Sequence, residues 1–132
     1  MSMRNYGILG YGVKCDFIEP YLNRKQLIKE VYNGELTEEE EIELTNLELL
    51  ECAMEKQNSI LEYAHADSEV SGYVLIWAIV PWHLWHEDCK KVKTEEDANN
   101  YIWEHLQSFL QPNLKKEDFL KFLGHISDSY LG

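Results

Sequence analysis

The chain has 132 residues, of which 45% are hydrophobic and 12% aromatic, and it carries a formal net charge of −12. That length suits one domain with a core of its own, and the aromatic content excludes a disordered acidic tail. The charge excludes a direct nucleic-acid binder and an anionic-membrane binder, and it favours basic protein surfaces as partners.

In chain order, Tyr6-Gly-Ile-Leu-Gly-Tyr-Gly-Val13 reads as a strand whose glycines allow a bulge or a close backbone approach. Leu27, Ile28 and Val31 share one face of a helix, with Asp16 and Glu19 available to cap its start. Asn33-Gly34 suits its end, because both residues tolerate left-handed backbone angles. Thr37 and Glu40 form a capping box for a long second helix, expected from Glu38 to about Tyr63. Ile60 to His65 also fits the first strand of a hairpin. On a helical wheel of about 100° per residue, Ile42, Leu47, Leu49, Leu50, Ala53, Met54, Ile60 and Leu61 fill one half. Glu41, Glu48, Glu51, Glu55 and Glu62 gather on the other.

Val70 to Val80 is the clearest strand, ended by Pro81 and apolar on both alternating sets, so it is expected in the middle of the sheet. Trp77 within it is expected in the core. Thr94 and Asp97 start a third helix with Ala98, Ile102, Leu106 and Phe109 on its inner face, and Pro112 ends it. Lys115 to Leu123 reads as a short last helix stopped by Gly124. The fold class is therefore α+β: a single small domain, residues 1–132, with about four helices packed on a small, mainly antiparallel sheet around Val70–Val80.

The longest apolar run, Tyr73 to Trp82, falls well short of the about 20 residues a membrane span needs. Met1-Ser2-Met3-Arg4-Asn5-Tyr6 lacks the apolar stretch of a signal peptide. Cys15, Cys52 and Cys89 are widely spaced and form no Cys-x-x-Cys, so they read as reduced thiols in a cytoplasmic protein.

Candidate functional residues follow from the charge pattern. Residues 35–69 hold twelve carboxylates and one cation, Lys56, for a net −11, whereas residues 1–34 carry +2 and residues 70–132 carry −3. An ordinary exposed helix interleaves Glu with Lys, because like charges one turn apart repel by a few tenths of a kcal/mol per pair. The row Glu41, Glu48, Glu51, Glu55, Glu62 accepts that repulsion. It is either a solvated face or a surface that presents charge to a protein groove as a nucleic-acid backbone does. Trp82 and Trp85, after a proline, fit either core packing or an interface anchor.

His83, His86, Glu87 and Cys89 are an alternative constellation, at spacings able to share a Zn²⁺ on a helical turn. They match no zinc signature, and no metal is assigned. Gly7, Gly10 and Gly12 reverse the dinucleotide fingerprint and lack its following helix, so no cofactor is expected. Lys90, Lys91 and Lys93 form a small basic patch that would at most bridge to the acidic face. No residue set supports a catalytic assignment.

In size and charge the chain resembles small acidic inhibitor proteins: phage anti-CRISPR and anti-restriction proteins, and bacterial immunity proteins. That resemblance carries no motif and transfers no residue. It implies a non-enzymatic protein that inhibits or masks a basic partner, a nuclease or another nucleic-acid-binding protein. The class alternative is a small metal-binding or metal-dependent hydrolytic domain built on His83, His86, Glu87 and Cys89.

Overall fold

The computed structural model describes residues 5–33, 37–65, 72–77 and 87–131, with the backbone alone at 5–8, 42, 77 and 128–131. Within them lie four strands, β1 (Asn5–Lys14), β2 (Leu61–His65), β3 (Gly72–Trp77) and β4 (Leu123–Leu131). The helices are α1 (Cys15–Ile18), α2 (Arg24–Tyr32), α3 (Glu38–Glu43), α4 (Asn46–Lys56), α5 (Glu95–Leu106) and α6 (Lys116–Leu120). The sheet order is β2-β3-β1-β4 and every pairing is antiparallel. The α+β class holds, and β3 lies inside the sheet as its all-apolar pattern requires. Val70, Ser71 and residues 78–80 of that run lie outside the described residues.

Register sets the two faces of the sheet. Val13 pairs with Val74, Tyr11 with Ile76, and Leu61 with Ile76, so these side chains share one face. The helices cover it with Ile18, Leu27, Leu49, Leu50, Ile102, Leu106 and Phe119. A smaller cluster of Ala64 and Leu75, flanked by Tyr73 and Ile126, lies on the other face. Gly10 and Gly12 of β1 work as the close-approach reading expects. A Cβ on Gly12 would stand 2.6 Å from the Leu75 Cα and would collide with the Val74 carbonyl oxygen.

The helix ends follow local rules. Asn33 ends α2 with φ 53°, the left-handed cap expected there. Thr94 and Asp97 form a full capping box at α5. The start of α2 differs from expectation. Asn23 caps it by accepting from the Gln26 N–H, while Asp16 lies in α1 and Glu19 in a following 3₁₀ turn.

Two larger expectations are corrected. The single helix from Glu38 to about Tyr63 is broken into α3, α4 and β2. Leu44 and Thr45 turn extended between the helices, and the Thr45 hydroxyl accepts from the Glu48 N–H at 3.1 Å to start α4. Arg24 secures the break by donating to the Glu41 carbonyl and, at 2.9 Å, to Asn46 Oδ1. The hairpin reading of Ile60 to His65 is the one the fold uses. The second correction is at the other end of the chain. The last helix stops at Leu120, and Leu123 to Leu131 forms β4, with Gly124 inside the strand opposite Gly12.

Candidate functional site: an acidic face and cleft

α4 is placed by its apolar side. Leu47, Leu49, Leu50, Ala53 and Met54 are buried, which turns Glu48, Glu51 and Glu55 outward together. Along the axis these carboxylates are spaced by about 4.5 and 6 Å, from a rise of about 1.5 Å per residue. Glu41 is separated from them, because it sits on α3 beyond the break. Glu62 belongs to β2, opposite Leu75 and so on the sheet face away from the helices, yet it borders the cleft beside α4. Glu51, Glu55 and Glu62 border one cleft of about 340 Å³, walled by Met54 and Leu61 and closed by Gln57 and Tyr63. Three of the five expected glutamates thus border one concavity, two from α4 and one from β2.

Lys56, the lone cation of the acidic segment, is directed elsewhere. Its ammonium donates to the Val31 carbonyl at 2.5 Å, near the end of α2. With Arg24 joining the starts of α2 and α4, the two helices run side by side in the same direction. The basic patch also stays local: Lys91 pairs with Asp88 at 3.2 Å, one turn away. A contact that sequence reading missed is made by His65. Its Nε2 lies 2.8 and 3.0 Å from the two Glu51 carboxylate oxygens, bringing β2 against α4.

Tyr101 supports the cleft from below. Its hydroxyl accepts from the Ile60 N–H at 3.1 Å and donates to Asp88 Oδ2 at 2.5 Å. Burial, then the bond to Asp88, holds that hydroxyl protonated well above the ordinary tyrosine range. His105 stacks on the Tyr101 ring at 4.0 Å, and the His105 carbonyl accepts from Gln57 Nε2 at 2.8 Å. Gln57 and the Ile60 N–H are thereby tied to α5. Tyr101→Phe leaves the Ile60 N–H without its acceptor and removes one of the bonds to Asp88, and it is expected to cost about 1–3 kcal/mol. Urea unfolding checks this; stability within about 0.5 kcal/mol of the parent would remove the hydroxyl from the account.

Trp82, Trp85, His83 and His86 lie outside the described residues, as does the side chain of Trp77. Of the remaining metal candidates, Glu87 is exposed and Cys89 packs against the main core. Among the described residues no group of three or more His, Cys, Asp or Glu side chains could hold a metal ion. Gly10 and Gly12 sit mid-strand opposite Trp77 and Leu75, not in a phosphate-cradling turn. Cys15, Cys52 and Cys89 are free thiols, and no helix of the described residues is long and apolar enough to cross a membrane.

What fold and site define together is an α+β domain with a carboxylate face backed by a cleft. Comparison with protein-family models, with curated protein sequences and with solved structures finds no match.

Proposed function

We propose that this chain is a non-enzymatic binding protein that inhibits or masks a basic, nucleic-acid-handling protein of the cytoplasm. Glu48, Glu51 and Glu55 would meet the partner's phosphate-binding surface, with Glu62 at the cleft edge and Glu41 at the periphery. Trp82 and Trp85 are the candidate anchors of the same interface. The observation that supports this reading is the disposition of charge on α4. Its carboxylates share one face, while Lys56, which could have neutralised them, is bound to the Val31 carbonyl. Such a face raises association rates with basic surfaces and competes with nucleic acid for them.

The test is kinetic. The parent protein should displace double-stranded DNA from at least one member of a panel of purified basic nucleases, and its association should slow steeply with added salt. Glu48→Gln, Glu51→Gln and Glu55→Gln together should slow that association roughly tenfold and flatten its salt dependence. Failure to displace DNA from any panel member, or equal rates for parent and triple variant, would refute the proposal.

A further inference from the structure

A second concavity, of about 400 Å³, has the opposite electrostatic character. Trp103 of α5 and Pro112 form its apolar sides, Gln107 and Gln111 contribute amides, and Lys115 and Lys116 stand at its edge. Its floor is Leu110 and Leu114, which are 5% and 4% exposed. The irregular segment from Gln107 to Lys115 is held in place by the chain beside it. The Asn23 N–H donates to the Phe109 carbonyl at 2.7 Å, and the Gln111 N–H donates to the Tyr21 carbonyl at 2.6 Å. The Gln111 side-chain amide donates to the Leu22 carbonyl at 3.3 Å, and Leu22 forms a β-bridge with Leu110. The surface is preorganised, so binding there orders little backbone.

Its charge is what points to an occupant. Three other lysines of this acidic chain pair with carboxylates, Lys14 with Asp16 at 3.6 Å, Lys91 with Asp88 at 3.2 Å and Lys121 with Asp118 at 3.6 Å, while Lys56 donates to a backbone carbonyl. Lys116 donates instead to a neutral amide, Asn100 Oδ1, at 2.8 Å. Among the described residues neither Lys115 nor Lys116 pairs with a carboxylate. Two adjacent uncompensated cations beside a partly exposed tryptophan form a surface for a negatively charged chain with apolar side chains.

We propose that this concavity docks an acidic peptide segment. Its carboxylates face Lys115 and Lys116, an apolar side chain lies on Trp103 and Pro112, and the Gln107 amide bonds its backbone. Because the sign of charge is reversed, this surface serves a different partner from the carboxylate face of α4, and either can fail without the other.

The probe is a synthetic peptide, Thr-Glu-Glu-Glu-Glu-Ile-Glu-Leu, which repeats residues 37–44 of this chain and combines five carboxylates with two apolar side chains. Titrated into the full-length protein at low salt, it should shift the Trp103 indole N–H resonance saturably, with that resonance assigned through Trp103→Phe. Lys115→Gln with Lys116→Gln should weaken binding at least about tenfold while leaving the dispersion of the spectrum intact. A peptide with every Glu replaced by Gln should not bind. The proposal is overturned if Trp103 shows no saturable shift up to about 1 mM peptide, a concentration that would already reveal weak binding. It is equally overturned if the double lysine variant or the uncharged peptide binds as well as the parent pair.

Discussion

Phe119→Ala should be the most damaging single truncation in this protein, lowering stability by about 3–5 kcal/mol. Phe119 is 0% exposed and heads the fully buried side chains by volume. It stands on α6, a helix of five residues, too short to persist without tertiary packing. Its ring meets Trp103 of α5 at 5.2 Å, so the same side chain holds α6 to α5. The loss is large against the roughly 5–15 kcal/mol by which small domains are stable. Phe119→Leu, which keeps most of the volume, should lose much less. Urea unfolding of the two variants decides the point: equal midpoints for Phe119→Ala and the parent would mean that the α5–α6 packing is not part of the cooperative core.

Alkaline destabilisation centred on Cys15 is the second large effect. Cys15 is 0% exposed at the junction of β1 and α1. Burial pushes its thiol up to about 12, and the Tyr63 hydroxyl beside it offsets only part of that rise. The folded state therefore favours the protonated thiol. Its contribution is complete below the ordinary thiol value of 9.0 and is lost as pH rises from there toward about 12. A shift of that size corresponds to at most about 4 kcal/mol. By about pH 10 the loss attributable to this thiol should be about 1.4 kcal/mol. Tyr63 and Tyr101, both also raised by burial, add their own loss at higher pH. Cys15→Ser removes the thiol titration and keeps a small polar group against Tyr63. The difference in stability between about pH 8 and about pH 10 should shrink by about 1.4 kcal/mol in that variant, read from denaturant midpoints at each pH. Parallel pH profiles for parent and variant would show that Cys15 is ionised as easily in the fold as outside it.

The elements that could be read from the sequence are those whose signals are local. Thr94 and Asp97 cap α5, Asn33 stops α2, and the apolar run around Val74 and Leu75 names an inner strand. The break between α3 and α4 was hidden because the apolar half of the wheel runs on across it, with Ile42 and Leu49 seven residues apart in helical phase. A signal was present: Thr45-x-x-Glu48 repeats the Thr37-x-x-Glu40 pattern and marks a second helix start. β4 had less to offer. Leu-Gly-His-Ile-Ser-Asp-Ser-Tyr-Leu alternates poorly and contains a glycine, and it becomes a strand through its pairing with β1. The candidate site divides the same way. Helical spacing alone groups Glu48, Glu51 and Glu55, whereas the contact of His65 with Glu51 and the arrival of Glu62 depend on how β2 docks. Lys56 could not be assigned from spacing, because its acceptor is a backbone carbonyl on another helix.

The pairing of β1 with β4 also dictates an order of events during synthesis. Val13 lies opposite Leu123 and Asn5 opposite Leu131, partners more than a hundred positions apart, while β3 takes the other edge of β1. A nascent chain that has emerged as far as α5 still lacks Phe119 for its core and β4 for its sheet, so one side of β1 stays open until the residues of β4 leave the ribosome. Closing so long a loop is entropically demanding and slow compared with making local contacts. During that interval an unpaired edge strand bearing Ile8, Leu9 and Tyr11 is available to other chains. A domain built this way completes its sheet in one late, long-range step, later than a fold of neighbouring hairpins would.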